Sequence, residues 1–242
     1  MLENLTDAEK QAMIEFVLDN PARFADSSYA LPETLEKLAD TSNSAVLRAV
    51  ARNPKTPTHV LEKLWARWHL DKSILSSFAG NSALPHSIQE RLVLQASQCK
   101  GYDIFYRLAC NPNAASDVLK FIVATNKNSY IRREVARNPA APAELKLKLV
   151  ADKSYDVRFV IAEDRNAPAE VLRKLYRLTI KRGCTKNKRR QQQKESLLYA
   201  LVVNEACPED VVLALSLQQD FPGVQDIALR RLKQCSEKSV VV

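Results

Sequence analysis

One short phrase, Ala-x-Asn-Pro, returns along this chain at intervals that are typical of helical repeats. It is clearest at 51–54, 109–112 and 136–139, and weaker copies end at Asn81, Asp164 and Asn204. The six anchor positions, 53, 81, 111, 138, 164 and 204, are separated by 28, 30, 27, 26 and 40 residues. A period of this size indicates a repeat protein, in which each supersecondary unit stacks on its neighbours.

A proline follows five of the six anchors at a distance of four residues and predicts where a first helix, A, begins. Proline suits the first helical position because it lacks an N–H and its φ is already helical. Three and seven positions after the proline the residues are apolar, which places them on one buried face. These residues are Val60, Leu64, Ile88, Leu92, Leu145, Leu149, Val171, Leu175, Val211 and Leu215.

A second helix, B, is predicted to end at each anchor. The anchor asparagine is expected to end the helix because its side-chain amide can bond nearby backbone groups, and a following proline prevents continuation. Positions −7 and −3, counted from the anchor, are apolar in all six copies: Val46, Val50, Ile74, Phe78, Ile104, Leu108, Ile131, Val135, Val157, Ile161, Leu197 and Leu201.

One helix pair has too little core to fold alone, so the pairs are expected to stack. We predict a single α-solenoid domain over 1–242. Its parts are an N-terminal capping helix region at 1–28, repeats at 29–178, a basic insertion loop at 179–194, and C-terminal repeats with a cap at 195–235. The capping helix is expected over 7–19, since Thr6 and Glu9 form a capping box, and the last helix over 226–233.

The copies at 131–139 and 46–54 resemble the leucine-rich repeat variant family, whose repeats read Val-Arg-x-x-Val-Ala-x-Asn-Pro before a helix that begins with proline. The resemblance covers about residues 30–215. It implies an all-α fold, a right-handed α-solenoid of about six to seven helix-pair repeats that is HEAT-like in style, and no particular activity. One member of the family holds an iron–sulfur cluster on N-terminal cysteines. The first cysteine here is Cys99, so no cofactor is expected.

Positions −5 and −1 of helix B point away from its core positions, and we call these twelve positions the B face. In HEAT-like solenoids the second helix lines the usual binding surface. Arginine binds phosphate or carboxylate groups, and aromatic side chains stack. The alternative is that the aromatic residues pack between repeats and the arginines are only solvated. The candidate binding residues are Arg48, Arg52, Tyr106, Arg133, Arg137, Phe159 and Tyr199.

A basic segment supplies seven of the net charges of +8. Because the anchors on either side of it are 40 residues apart, we interpret it as an insertion. A disordered, solvated loop is the simplest interpretation, nucleic-acid contact is the next, and contact with an acidic protein is the third. The basic residues are Lys181, Arg182, Lys186, Lys188, Arg189, Arg190 and Lys194.

No enzyme motif is present. The three histidines lack metal-binding spacing, and only 4 glycines argue against a glycine-rich nucleotide fold.

Five scattered cysteines without a Cys-x-x-Cys pair indicate reduced thiols, and neither a signal peptide nor an apolar span of membrane length is found. We therefore expect a non-enzymatic cytoplasmic interaction module. It would bind a macromolecule, in the first place a protein, on the B face without a metal, a cofactor or a membrane.

The alternative function is nucleic-acid binding, as in the HEAT-like alkylpurine DNA glycosylases. Those enzymes are helical repeat proteins with a basic groove that handle the damaged base with tryptophans and an aspartate. Trp65, Trp68 and Asp71 would be the counterparts here. Packing at the end of helix A is the favoured interpretation of the tryptophans, so no catalytic residue is carried over.

Overall fold

The computed structural model describes residues 19–99, 101–181 and 187–239. Within these ranges the chain is all-α, with fifteen helices and no strand. The predicted capping helix at 7–19 lies, apart from its last residue, outside the described residues.

The chain divides into two compact units, and the first is Met1–Thr125. Alternate helices of this unit contact each other: α1 contacts α3, α3 contacts α5, α5 contacts α7, and α6 contacts α8. The predicted B helices are α3, α5 and α7. The helices are α1 Pro21–Ala25, α2 Pro32–Leu38, α3 Ser44–Arg52, α4 Thr58–Trp68, α5 Lys72–Ala79, α6 His86–Gln98, α7 Tyr102–Cys110 and α8 Ser116–Thr125.

The second unit is Asn126–Val242, and it follows the same pattern. Here α9 contacts α11, α11 contacts α13, α13 contacts α15, and α10 contacts α12. The predicted B helices are α9, α11 and α13. The expectation of a single domain stays a prediction. The helices are α9 Ser129–Arg137, α10 Ala143–Leu149, α11 Tyr155–Glu163, α12 Ala169–Lys181, α13 Lys188–Val203, α14 Glu209–Ser216 and α15 Pro222–Ser239.

The apolar positions that the repeat predicts all lie in the core. All twelve residues at −7 and −3 of the B helices are at most 4% exposed, and so are the ten predicted residues of the A helices. Burying an aliphatic or aromatic side chain of this size stabilises a fold by about 1.5–3 kcal/mol. The predicted apolar faces are therefore confirmed, and they hold each A helix against its B helices.

The anchor asparagines bind backbone on both sides. The Oδ1 atom of Asn53 accepts a hydrogen bond from the N–H of Lys55 at 2.9 Å, which is the turn that we expected. Its Nδ2 atom also donates to the carbonyl oxygens of Ala25 at 2.7 Å and Ser27 at 3.0 Å, in the preceding repeat. We call this arrangement the asparagine ladder.

The asparagine ladder recurs within each unit. Asn81 donates to the carbonyls of Ala51 and Asn53 at 3.0 and 2.9 Å. In the second unit, Asn204 donates to the carbonyls of Ala162 and Asp164 at 2.7 and 2.9 Å. Each rung thus joins an anchor to positions −2 and 0 of the repeat before it, and these buried amides use their hydrogen-bonding capacity on the backbone.

An arginine closes the ladder of the second unit. The Nη1 atom of Arg231 on α15 donates to the carbonyls of Val202 at 3.0 Å and Asn204 at 2.6 Å. These are again positions −2 and 0 of the preceding repeat. Arg231 therefore takes the place that the next asparagine would occupy.

The prolines lie one residue earlier than predicted. Pro57 has a φ of −58° and a ψ of 146°, so it is the N-cap of α4 and not its first helical residue. Its carbonyl oxygen accepts from the N–H groups of Val60 at 3.0 Å and Leu61 at 3.1 Å. Pro85, Pro142 and Pro208 have similar angles. The ring fixes only φ, so ψ stays extended and connects the preceding turn to the helix.

The expectation of a basic loop over 179–194 is wrong for the residues at both of its ends. Helix α12 continues to Lys181, and α13 begins at Lys188. The Oδ1 atom of Asn187 accepts from the N–H of Arg190 at 3.1 Å and caps α13. Lys, Arg and Gln are strong helix formers, which explains why this segment lengthens a B helix. Arg182 and Lys186 lie outside the described residues.

Candidate binding face on the B helices

The B face is open to solvent in both units. All six residues at −1, including Arg52 and Arg137, are exposed, and none of the six at −5 is buried. At −5, Tyr106 is 37% and Tyr199 is 51% exposed. The −5 and −1 side chains therefore lie on the surface, opposite the buried −7 and −3 positions of the same helices.

The arginines of the first unit are engaged with neighbouring polar side chains. Arg52 forms a bidentate pair with Asp26, with Nε–Oδ1 and Nη2–Oδ2 distances of 2.9 and 2.6 Å. Arg48 donates to the hydroxyl of Ser44 at 3.4 Å. Both partners of the Arg52 pair are almost half exposed, so the pair contributes no more than about 1 kcal/mol. The charge of Arg52 is nevertheless largely balanced on this surface.

A second polar cluster joins α5 to α7. The hydroxyl of Ser76 donates to Asp103, which also accepts from the Nε atom of Arg107 at 3.0 Å. Partial burial raises the pKa of Asp103, but the hydrogen bonds from Ser76 and Arg107 outweigh that effect and hold it below its usual value. Asp103 is therefore a carboxylate that orients the surrounding side chains.

Tyrosines on α7 form an exposed aromatic pair. The rings of Tyr102 and Tyr106 stack with a centroid distance of 6.3 Å and an angle of 14°. A cavity of about 260 Å³ adjoins Tyr106 and is also lined by Gly80, Arg107 and Cys110. This part of the B face offers a flat aromatic surface beside a shallow depression.

In the second unit, one buried carboxylate holds two arginines. The Nε and Nη2 atoms of Arg133 donate to Oε1 of Glu134 at 2.9 and 2.7 Å. The Nη1 atom of Arg137 is 3.8 Å from the other carboxylate oxygen, and its side chain is 60% exposed. The guanidinium of Arg133 also lies 5.4 Å from the ring centroid of Tyr130. Arg137 is thus the more accessible cation of the two.

The aromatic residues of the second unit divide between packing and exposure. Phe159 packs on Tyr155 with a centroid distance of 5.4 Å and is only partly exposed. Burial raises the pKa of the Tyr155 hydroxyl, which is hydrogen bonded to Ser196 of α13. For Phe159 the structure thus supports the packing interpretation in part. Tyr199, in contrast, projects from the surface of α13.

A second cavity, of about 250 Å³, opens beside Arg137. Its wall includes Lys146 of α10 and Asp164, the anchor that follows α11. The Nζ atom of Lys146 donates to Oδ2 of Asp164 at 2.5 Å, and Lys146 is only 5% exposed. An ion pair between a buried lysine and a partly exposed aspartate therefore borders the cavity.

The described basic residues of the segment 179–194 lie on helices. Lys181, Lys188, Arg189 and Arg190 are exposed. Lys194 is partly exposed, and its Nζ atom lies 5.4 Å from the ring centroid of Phe221. Lys188 comes three helical turns before Tyr199 on α13, so both lie on the same side of that helix.

Two of the three residues that would parallel a glycosylase site, Trp65 and Asp71, are used in packing and capping. Trp65 is 8% exposed and meets Phe78 edge-on at 5.7 Å. Asp71 caps α5 by accepting a hydrogen bond from the N–H of Ser73 at 2.8 Å. The hydroxyl of Ser73 also donates to the Asp71 carboxyl, and this hydrogen bond lowers the pKa of that carboxyl. These contacts favour the interpretation that Trp65 and Asp71 are structural.

One group of potential metal ligands was not predicted. The Nε2 atom of His86 lies 3.0 Å from Asp117 and 3.7 Å from Glu90, and all three residues are exposed. The hydrogen bond with Asp117 raises the pKa of His86. His59 pairs with Glu36 at 2.9 Å in a similar way. These histidine–carboxylate pairs therefore join successive A helices, and the spacing along the sequence gives no sign of them.

No protein-family model, curated protein or solved structure was found to match this chain. The resemblance to the leucine-rich repeat variant family therefore stays a prediction from the repeated residues. Among the helices of the described ranges, none has both the length and the apolar character needed to cross a membrane.

Proposed function

We propose that this protein is a non-enzymatic interaction module. Its helix pairs are repeats of a right-handed α-solenoid, about six to seven in number, and its B face binds a protein partner. The stacking of alternate helices in each unit and the asparagine ladder support the repeat architecture.

Uncovered tyrosines on the B helices carry the functional proposal. Tyr102, Tyr106, Tyr130 and Tyr199 are between 37% and 57% exposed, and all four lie on B helices. Tyrosine and arginine are enriched where proteins bind each other, because they combine a large contact area with polar groups. Tyr106 and Tyr199 belong to the B face, and Tyr102 and Tyr130 lie about a turn or more before B-face positions on the same helices. The B face and its surroundings therefore have the composition of a protein-binding surface.

The ion pairs favour a protein over a nucleic acid as the partner. Nucleic-acid binding depends on several cations that are available to phosphates. On the B face, Arg52 pairs with Asp26 and Arg133 with Glu134, and Glu163 adds a further exposed carboxylate. The surface is thus mixed in charge and suits a partner that carries both polar and apolar groups.

Nucleic acid is the second candidate because of the first turns of α13. Lys188, Arg189 and Arg190 are exposed there, and the segment 179–194 contains no acidic residue. These cations could follow a phosphate backbone, and such binding would weaken steeply with salt. One experiment separates the two candidates.

The experiment places a photo-crosslinking amino acid, p-benzoylphenylalanine, at Tyr199 in cells that produce the protein. The control carries the same residue at Leu213, which is 54% exposed on the A helix α14 of the same unit. We expect nuclease-resistant, protease-sensitive adducts from position 199 and none from position 213. Adducts that nuclease removes would favour the second candidate, and equal or absent adducts at both positions would exclude the proposed face.

A stability control accompanies this test. Tyr199→Ala removes an exposed side chain, so its free energy of unfolding is expected to stay within about 0.5 kcal/mol of the unchanged protein. The same variant is expected to capture less of the partner identified by crosslinking. A large loss of stability would mean that Tyr199 holds the fold and not a partner.

A further inference from the structure

One rung of the ladder differs from the others in two residues at once. Position +8 after an anchor lies in helix A and is a buried aliphatic residue in four repeats, whereas it is Lys146 after the anchor Asn138. The anchor that follows Lys146 is Asp164, the one aspartate among the six anchors. The four aliphatic residues are Leu61, Leu119, Leu172 and Val212.

The remaining repeat has Gln89 at position +8, and its amide is fully used. It donates to the carbonyl of Leu84 at 2.8 Å and accepts from the N–H of Ala115 at 2.8 Å. Gln89 therefore serves the packing of its own loops. Lys146, in contrast, contacts the changed anchor itself.

The ion pair between Lys146 and Asp164 is expected to add little stability, because Lys146 is only 5% exposed and loses its hydration when it pairs. A buried ion pair is seldom more stable than a well-packed apolar alternative, because both charges lose their hydration. Asp164 keeps one role of the asparagine, since its Oδ1 atom accepts from the N–H of Asn166 at 2.9 Å. It lacks the amide N–H that donates across the ladder elsewhere. The repeat thus gives up packing and hydrogen bonds at this rung.

The cavity of about 250 Å³ lies at this rung. Its lining includes Arg137, Lys146, Asp164 and Asn166, with Pro139 and Pro168. The Nζ atom of Lys146 has Asp164 as its acceptor among the described residues, so it retains donor capacity. Arg137 has a long, 3.8 Å approach to Glu134 and is otherwise directed to solvent. Arg133, Arg137 and Lys146 against Glu134 and Asp164 leave one positive charge here.

We infer that this cavity binds a single carboxylate, supplied by an acidic side chain of the protein partner. The inference rests on the proposed function, because Arg137 belongs to the B face. A guanidinium fork recognises carboxylates in a bidentate manner. The cavity is smaller than the roughly 300–1,000 Å³ of small-molecule pockets, which suits one side chain. Asp164 disfavours a doubly charged phosphate.

The first test uses N-acetyl-glutamic acid amide, a blocked amino acid with one side-chain carboxylate. Its neutral isostere, N-acetyl-glutamine amide, and inorganic phosphate are the comparison probes, and binding is followed by NMR shifts of Asn166 and Ala141. We expect saturable, millimolar binding of the glutamate compound alone. No saturable binding of it, or tighter binding of phosphate, would overturn the inference.

The second test restores the common rung. The double variant Lys146→Leu/Asp164→Asn places a leucine and an asparagine as in neighbouring repeats, so we expect it to fold with an equal or higher urea midpoint. We expect its affinity for the glutamate compound to fall at least about tenfold, which corresponds to the loss of one charge-assisted contact. Lys148→Leu removes an exposed charge from the same helix and is expected to bind normally. Unchanged binding by the double variant would overturn the inference.

Different results would exclude the proposed function and the carboxylate site. Binding of the glutamate compound without crosslinks at Tyr199 would keep the carboxylate site and remove the proposed function. Crosslinks at Tyr199 that persist unchanged in Arg137→Gln, together with no binding of the compound, would keep the function and remove the carboxylate site.

Discussion

Replacing Asn81 by alanine tests the energetic weight of the asparagine ladder. The side chain is fully buried and makes three hydrogen bonds with backbone groups. It donates to the carbonyls of Ala51 and Asn53 at 3.0 and 2.9 Å, and it accepts from the N–H of Ala83 at 2.8 Å. Alanine would leave all three groups without their partner while the surrounding helices remain.

The expected loss follows from those three bonds. Each buried hydrogen bond contributes about 1 kcal/mol, so Asn81→Ala is expected to lower the free energy of unfolding by about 3 kcal/mol. With an m-value of about 3 kcal/mol/M, the urea midpoint would fall by about 1 M. Asn81→Asp is expected to lower the free energy of unfolding by at least as much, because its carboxylate would face two carbonyl oxygens.

The measurement is urea unfolding followed by circular dichroism of the helices. Asn113→Ala is the matched control, since the side-chain amide of Asn113 donates to the carbonyl of Ser82 at 2.8 Å in an exposed position. We expect this control to change stability by no more than about 0.5 kcal/mol. If Asn81→Ala and the control behaved alike, the ladder would not hold the repeats together.

Three further outcomes are expected. Arg231→Ala, which removes the donor to the last carbonyls of the ladder, should lower the urea midpoint through the loss of about 2–3 kcal/mol. His86→Gln should destabilise the protein below pH 6.5, the ordinary pKa of histidine, by less than about 1 kcal/mol. Asp117 raises the pKa of folded His86, so this difference should vanish as the pH rises through the raised value in urea titrations. Burial raises the pKa of Cys207 to about 11, so iodoacetamide should label exposed Cys110 in the folded protein and Cys207 only after unfolding, as read by mass spectrometry.

Each of these three predictions has a specific outcome that would contradict it. An unchanged midpoint in Arg231→Ala would mean that α15 is held by its apolar face alone. A loss in His86→Gln that is constant with pH would assign the effect to packing and not to charge. Rapid native labelling of Cys207 would show that its surroundings open readily.

Local patterns explain why the core could be predicted from the sequence. Val46 and Val50, or Ile131 and Val135, repeat at helical spacing, and burial follows directly from that spacing. The turn formed by Asn53 was also predictable from the local sequence, because its hydrogen bond joins two residues that are only two positions apart in the chain. The donation from Asn53 to Ala25 depends on how closely two repeats stack, which no local pattern records.

The basic segment shows a conflict between two sequence signals. A run of like charges indicated a solvated loop, but Lys, Arg and Gln also favour a helix, and Asn187 supplies a cap. The helix prevails at Lys188–Val203 because its later turns bury Leu197 and Leu201 in the core. Charge alone was therefore a poor guide to the conformation of this segment.

The candidate site was predictable only in part. The outward direction of Tyr199 and Arg137 follows from helical spacing, whereas the pairing of Arg52 with Asp26 depends on contacts between repeats. Asp164 was visible as a departure from the repeat, whereas Lys146 and the cavity beside both residues were recognised only in the structure. The chemistry of the B face thus required the structure.

The most direct test of the register is the hydrogen exchange of the asparagine side-chain amides, resolved by NMR. The amides of Asn53, Asn81 and Asn204 are buried donors of the ladder, whereas that of Asn113 is exposed. We expect the three ladder amides to exchange many times more slowly than that of Asn113, because exchange requires opening of the stack. Equal, rapid exchange at all four would show that the repeats are not joined in this register, and the B face would lose its basis.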